Sequence, residues 1–79
     1  MEIQAVVGRN VKRCRELKGL SQEELKGLSQ EELAFQSDLH RTYVSGVERG
    51  IRNPTVAIVA RLAVALDVKP AKLLEFQED

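Results

Sequence analysis

A ten-residue segment occurs twice in this chain, and it limits how the first half of the chain can fold. The residues from Glu16 to Leu25 read ELKGLSQEEL, and those from Glu24 to Leu33 read the same, so the period is eight residues. A solenoid repeat needs about 20 residues or more, so these copies are too short to be stacked units. We therefore interpret the duplicated segment 16–33 as one normal segment with an eight-residue insertion, of natural or engineered origin.

Each copy carries the signals of a helix end followed by a helix start. A glycine, Gly19 or Gly27, suits the left-handed residue that follows a helix. A serine, Ser21 or Ser29, suits an N-cap, and a glutamate three residues later completes a capping box. The chain therefore has two equivalent places at which to turn.

Apolar residues recur at helical spacing along the chain and predict five short helices. We expect helix 1 from Ile3 to Lys18, helix 2 from Ser29 to Ser37–Asp38, helix 3 from Leu39 or His40 to Gly50, helix 4 after a Thr55 cap, and helix 5 from Pro70. The predicted inward residues are Val7, Val11, Cys14, Leu33, Leu39, Val44, Val47, Val56, Val59, Leu62, Ala63, Leu66, Leu73 and Leu74. No stretch alternates as a strand does, so the fold class is all-α, and 79 residues suit a single domain, 1–79.

The composition argues against several classes of function. One cysteine, Cys14, and one histidine, His40, cannot close a zinc site, and a lone cysteine fits a reducing cytoplasm. No apolar run approaches the ~20 residues of a membrane span, and Met1 to Val7 lacks the cationic run of a signal peptide. No Gly-rich phosphate loop or nucleophile–base pair is evident. We therefore expect no enzyme, no metal, no cofactor, no small-molecule ligand and no membrane partner.

The charges are unevenly distributed along the chain. Twelve basic and twelve acidic residues give a net charge of zero, which taken alone argues against a nucleic-acid partner. From Asp38 to Arg61, however, there are four arginines and two acids, whereas Glu16 to Glu32 contains five acids and two lysines. A local basic face is therefore expected despite the neutral total.

The stretch from Gln30 to Gly50, QEELAFQSDLHRTYVSGVERG, reads as two short helices joined by a tight turn. Ala34 is small enough for the second helix to cross close, and Asp38 tolerates the left-handed conformation that the turn needs. The outer face of helix 3 would then be polar or small, as a helix in a DNA major groove requires. That face consists of Arg41, Thr42, Tyr43, Ser45 and Gly46.

This stretch, with the SQEEL start, the RNPT segment and the ALDVKPAKLL ending, resembles the phage-repressor and Cro-type helix-turn-helix family, the Xre-like regulators. The resemblance covers roughly Val7 to Leu74, and HRTYVSGVERGIRNP looks most similar to the controller proteins of restriction–modification systems. It implies a five-helix lambda-repressor-like domain and a transcriptional regulator that binds a palindromic operator as a homodimer. The sequence departs from the family pattern in three ways. Asp38 stands where the family usually has Gly, Ser37 stands at an often apolar position, and an insertion separates helices 1 and 2.

The resemblance also implies roles for individual residues. The base-reading residues would be Arg41, Thr42 and Ser45, with Arg41 suited to guanine O6 and N7. The residues that contact the DNA backbone would be Gln30, Tyr43, Arg49 and Arg52. Arg15 and Glu48 match a buried ion pair that ties helix 1 to helix 3, and we assign it a structural role.

A lone helix-turn-helix buries too little DNA surface for a useful specific affinity, so we expect a homodimer through helices 4 and 5. The candidate contact residues there are Val64, Leu66, Val68 and Phe76. Two other functions stay open, an antitoxin-type protein-interaction module on the same fold and a chain engineered to test how the fold tolerates the duplication.

The insertion leaves two arrangements open. In the first, Lys18 to Leu28 form a short excursion while both flanking helices keep their places, at little cost in loop entropy. In the second, a continuous long helix carries helix 1 onto a partner chain, and a glycine inside it costs about 1 kcal/mol. We favour the excursion, because it keeps Arg15 and Glu48 paired within one chain.

Overall fold

Five α-helices and their connections make up the described part of the chain. The computed structural model describes residues 2–18 and 27–76. The helices are α1 (Ile3–Leu17), α2 (Gln30–Ser37), α3 (Arg41–Glu48), α4 (Val56–Leu66) and α5 (Pro70–Leu73). No residue of the two described ranges lies in a strand. The predicted all-α class with five helices is confirmed.

The helix starts follow from local capping groups. Ser29 Oγ accepts a hydrogen bond from the Glu32 N–H at 3.0 Å, and the Glu32 carboxylate accepts one from the Ser29 N–H at 2.9 Å. Thr55 Oγ1 accepts from the Ile58 N–H at 3.2 Å, and Pro70 stands in the first turn of α5. These groups satisfy backbone donors that a helix leaves unpaired, so α2, α4 and α5 begin where the sequence predicts.

Two aspartates end helices in the left-handed conformation. Asp38 ends α2 and Asp67 ends α4, each with a φ of 58°. The next residue closes each end: the Leu39 N–H donates to Ala34 O at 2.9 Å, and the Val68 N–H donates to the Ala63 carbonyl at 3.0 Å. This pattern normally uses glycine, and aspartate tolerates it better than most residues. The left-handed Asp38 is confirmed.

The end of α1 differs from the prediction. α1 stops at Leu17, and the following Lys18 is extended, with φ −66° and ψ 128°. Gly27 does not have a positive φ, so its predicted role as a left-handed cap is wrong. It lies against the backbone of Glu16, and a Cβ would overlap the Glu16 carbonyl oxygen. Glycine is thus needed there for close approach, while Gly19 lies outside the described residues.

The flanks of the insertion contradict a long continuous helix. α1 ends at Leu17, residues 27–29 are not helical, and the Leu28 N–H donates to Arg15 O at 2.9 Å. Arg15 also pairs with Glu48 of the same chain. Both flanks of the insertion are therefore held to the end of α1. Residues 19–26 of the predicted excursion lie outside the described residues.

All five helices contribute to one apolar core. Its buried members are Val7, Val11, Leu33, Ala34, Val44, Val47, Val59, Leu62, Ala63, Leu66 and Leu73, and the partly buried Cys14, Leu28 and Leu39 pack against them. Burial raises the pKa of the Cys14 thiol, which keeps it protonated at neutral pH. The predicted interlocking of Leu33, Leu39, Val44 and Val47 between the two central helices is confirmed.

Gly8 sets how closely α1 crosses α3. The carbonyl oxygens of Val47 and Glu48 occupy the space that a Cβ at Gly8 would need. A larger residue would push the two helices apart at the point where α3 ends. The helical pattern of α1 contained no signal for this contact.

Three predicted placements of apolar residues are wrong. Val56 and Leu74, predicted to be inward, are 87% and 45% exposed. Val56 is the first residue of α4 and lies at the edge of its apolar stripe, while Leu74 follows a one-turn helix whose Leu73 already fills the core. Leu66, predicted both to be inward and to take part in the dimer contact, is buried, which confirms the first prediction and contradicts the second.

Candidate nucleic-acid interface

The site is built on two helices that meet at a three-residue turn. α2 and α3 are joined by Asp38, Leu39 and His40, and Asp38 makes the turn by its left-handed backbone. Val44 and Val47 on the inner side of α3 are fully buried against α2 and the core. Burial of this side fixes which side of α3 faces solvent.

The outer side of α3 is polar and open. Arg41 and Thr42 in its first turn are exposed, and Ser45, one turn later, is half-buried. Arg49 just after the helix is exposed, and its Nε donates to Ser45 O at 3.4 Å. An eight-residue helix is about 12 Å long, which is close to the width of a DNA major groove. The structure therefore brings together Arg41, Thr42, Ser45 and Arg49, as the sequence predicts.

Tyr43 and Arg52 form a second feature beside α3. Tyr43 is half-buried and packs against the core, so part of its ring is structural. The Arg52 guanidinium carbon lies 5.9 Å from the centre of that ring, within reach of a cation–π interaction. A Cβ at Gly46 would overlap the Arg52 side chain. Arg52, which belongs to the loop after α3, is thus held against the helix before any ligand binds.

Glu48 organises a buried polar network at the junction of three helices. Its carboxylate accepts from Arg15 Nε at 2.6 Å and Arg15 Nη2 at 3.0 Å, and from Gln30 Nε2 at 2.9 Å. Arg15 Nη1 also donates to Leu28 O at 2.9 Å. The hydrogen bond to Glu48 raises the pKa of the Arg15 guanidinium, so Arg15 stays charged. The network holds Gln30, at the start of α2, in a set orientation.

Arg61 has a structural role that its place in the sequence does not indicate. This α4 residue counted toward the basic stretch, but its guanidinium lies at the end of α2. There Nε and Nη2 donate to Ser37 O at 3.1 and 2.8 Å, and Nη2 donates to Asp38 O at 2.6 Å. Arg61 thereby satisfies carbonyls that the end of a helix leaves unpaired and braces the turn. No local pattern pairs an arginine with a turn 23 residues earlier.

The described ranges offer few features for other kinds of site. Within residues 2–18 and 27–76, no cluster of His, Cys, Asp or Glu is arranged to hold a metal ion. No helix in that part of the chain is both long and apolar enough to cross a membrane.

The sequence model of a helix-turn-helix family matches residues 24–73, which include α2, the turn and α3. The chain belongs to the helix-turn-helix family. It is 40% identical over 75 residues to the control protein C.BamHI of Bacillus amyloliquefaciens, a match that covers 94% of this chain and 83% of that protein.

Two solved structures of related proteins have the same fold. The restriction–modification controller protein C.AhdI from Aeromonas hydrophila is 43% identical, with a TM-score of 0.76 over 89% of this chain and 94% of that one. The controller protein C.Esp1396I, as a tetramer in complex with its natural 35 base-pair operator, is 32% identical, with a TM-score of 0.75 over 92% of this chain and 86% of that one. The resemblance to the controller proteins is confirmed.

Proposed function

We propose that the chain is a sequence-specific DNA-binding transcriptional regulator that acts as a homodimer on a palindromic operator, with α3 in the major groove. The observation that carries the proposal is the open polar side of α3, with Arg41, Thr42 and Ser45 on a helix whose other side is locked into the core. The operator complex of the similar C.Esp1396I supports it.

Base reading is assigned to the first two turns of α3. Arg41 is exposed, and its two-pronged head matches O6 and N7 of guanine. Thr42 and Ser45 offer a hydroxyl that can donate or accept, and the Thr42 methyl can contact a thymine methyl. All three residues lie on one side of a helix whose first turn would enter the groove.

Contacts to the DNA backbone are assigned to residues at the edges of α3. Gln30 uses one amide hydrogen on Glu48, and an amide carries two, so the second can reach a phosphate. Arg49 and Arg52 flank α3 and would bind phosphates, with Tyr43 supporting Arg52. These contacts would position α3 on DNA without reading its sequence.

The remaining assignments follow from this function. One α3 contacts only a few base pairs, so two copies on half-sites about 34 Å apart are needed for useful specificity. We place the dimer contact on α4 and α5, beside which Phe76 is 61% exposed. A regulator of this kind is not an enzyme, and it would act in the cytoplasm of a bacterium, where the DNA lies.

The test is a selection of bound sequences from random duplexes, followed by affinity measurements on the selected operator. Arg41→Ala should weaken binding to the selected operator by about 1–3 kcal/mol and relax the preference at one base position. Lys12→Ala is the matched control, because Lys12 is an exposed cation on α1, outside α2, the turn and α3.

Each outcome has a clear meaning. Failure to select any sequence would contradict the proposed function. An equal loss on the selected and on random DNA for Arg41→Ala would make Arg41 a phosphate contact and contradict its base-reading role.

A further inference from the structure

An apolar groove lies where the starts of α1 and α4 meet α5. Its cavity volume is about 250 Å³, and its walls are mostly carbon; they include Ile3, Val7, Pro54, Val56, Pro70 and Leu74. Val56 and Leu74, the two residues wrongly predicted to be in the core, thus face this groove. An open groove of apolar residues on a small chain indicates a site that another apolar group covers.

Phe76 is a large apolar residue close to the groove that does not line it. It lies two residues beyond Leu74, is 61% exposed, and belongs to a segment that continues past the four-residue α5. The Glu75 N–H donates to the Lys72 carbonyl at 3.5 Å, which is long for a hydrogen bond, so α5 itself holds this segment weakly. A group on another helix holds it more firmly.

That group is Asn10 of α1. Its side chain is buried, and Nδ2 donates to Leu73 O at 2.9 Å and to Glu75 O at 2.8 Å. The two bonds hold the backbone on either side of Leu74, immediately before Phe76. Asn10 therefore fixes the direction in which Phe76 leaves α1.

Phe76 lies outside the groove of its own chain. Leu74 faces the groove beside Val7, whereas Glu75 is tied to Asn10, one helical turn further along α1.

We propose that Phe76 of one copy occupies the groove of a second copy, and that the reciprocal contact completes the homodimer, with Asn10 as the residue that positions Phe76. The inference rests on the homodimer of the proposed function and names its contact surface. A two-fold dimer requires self-complementary patches, and an exposed aromatic residue together with an apolar groove can provide them. Aromatic residues that fill pockets dominate the energetics of such interfaces.

The chain offers a matched pair of variants on α4. Val56 and Val64 are the same residue type on the same helix, 87% and 80% exposed, but only Val56 lines the groove. We expect Val56→Lys and Phe76→Ala to raise the dimer dissociation constant at least about tenfold, and Val64→Lys to leave it nearly unchanged. Sedimentation equilibrium without DNA measures this constant.

A mixing experiment tests whether Phe76 enters the groove of the other copy. Val56→Lys and Phe76→Glu should each be monomeric alone, because one puts a charge into the apolar groove and the other removes the aromatic group. A mixture of the two should form a heterodimer with one native contact and one ion pair. Absence of that heterodimer, or a dimer broken by Val64→Lys and not by Phe76→Ala, would overturn the proposal.

Asn10→Asp tests the positioning residue, because it keeps the shape but replaces the NH2 group, with both donor hydrogens, by one acceptor oxygen that faces the two carbonyls. We expect a weaker dimer with unchanged affinity for a single half-site, which a general loss of structure would not produce. An unchanged dimer would overturn the role of Asn10. Should this variant fail to fold, Phe76→Ala and Val56→Lys still decide the groove, because both residues are exposed.

The outcomes for the dimer and for DNA binding are separable. A wild-type chain that stays monomeric at tens of micromolar would overturn the groove proposal. A wild-type dimer that loses dimerisation in Phe76→Ala, yet selects no DNA, would support the groove and contradict the proposed function.

Discussion

Ser37 is a residue whose side chain lowers the stability of the fold. It is the last residue of α2, it is 3% exposed, and its hydroxyl has no hydrogen-bond partner among the described residues. The backbone carbonyl of the same residue accepts from Arg61, so the main chain is satisfied while the side chain is not. A buried hydroxyl without a partner opposes folding.

Ser37→Ala should therefore raise the free energy of unfolding by about 1 kcal/mol. In a domain of this size that corresponds to a rise in Tm of roughly 4–8 °C, measured by thermal unfolding. DNA affinity should not change, since the hydroxyl faces the core. A fall in Tm would mean that the hydroxyl bonds to a carbonyl one turn earlier in α2, and would contradict the prediction.

In contrast to the Ser37 hydroxyl, the buried side chains of Arg15 and Glu48 are hydrogen-bonded to each other. The side chain of Glu48 is 3% exposed and that of Arg15 is 11% exposed. Arg15→Met would leave the carboxylate buried with only Gln30 as a side-chain donor, and should cost about 3–5 kcal/mol in urea unfolding. Arg15→Met with Glu48→Gln should recover part of the loss, because a neutral amide can still accept from Gln30. Equal losses in the single and double variants would show that the charge of Glu48 is not the cause.

At the scale of helices, the described residues on both sides of the insertion belong to an ordered junction of α1 and α2. The Leu28 N–H donates to the Arg15 carbonyl, and Gly27 lies against the backbone of Glu16. Ser29 caps the start of α2 in a capping box with Glu32. The eight additional residues therefore enter a connection between two complete helices. Because the copies are identical, removal of any eight consecutive residues within 16–33 yields the same shortened protein.

Deletion of residues 19–26 should raise the free energy of unfolding by about 1 kcal/mol, because a shorter connection loses less entropy when it closes. DNA binding should be unchanged, since α2 and α3 keep their places. Replacement of 19–26 by eight glycines and serines is the matched control, and it should leave both properties near those of the wild type. Loss of DNA binding in the control but not in the deletion would contradict a purely connecting role.

At the scale of the whole molecule, the distribution of charge matters more than the total. The net charge is zero, but Arg41, Arg49 and Arg52 surround the open side of α3.

We also propose that residues 1–79 form one domain, because the apolar core contains residues of all five helices. Urea unfolding of the wild type and of the Arg15 variants should then show a single transition.

DNA affinity should fall linearly with the logarithm of the salt concentration, because arginines that neutralise phosphates release counterions. Arg49→Ala should reduce the magnitude of the slope by about 1. Lys12→Ala, which removes the same charge from α1, should leave the slope unchanged. Fluorescence anisotropy between about 50 and 200 mM salt measures it. Equal slopes for both variants and the wild type would remove Arg49 from the phosphate contacts.

The sequence by itself determined the features that depend on neighbours in the chain. The Ser29 and Thr55 caps, the left-handed Asp38 and the period of the buried residues each involve groups within a few residues of one another. Such short-range hydrogen bonds and spacings identify the helices, their starts and the open side of α3.

Only the tertiary structure decided the features that join distant parts of the chain. The contact of Gly8 with the end of α3, the bonds of Asn10 beyond α5 and the bonds of Arg61 to the turn each link separate helices. The exposure of Val56 and the burial of Leu66 likewise depend on where a neighbouring helix stops. Helical periodicity shows which side of a helix is apolar, but the crossing of helices decides whether another helix, open solvent or a second copy covers it.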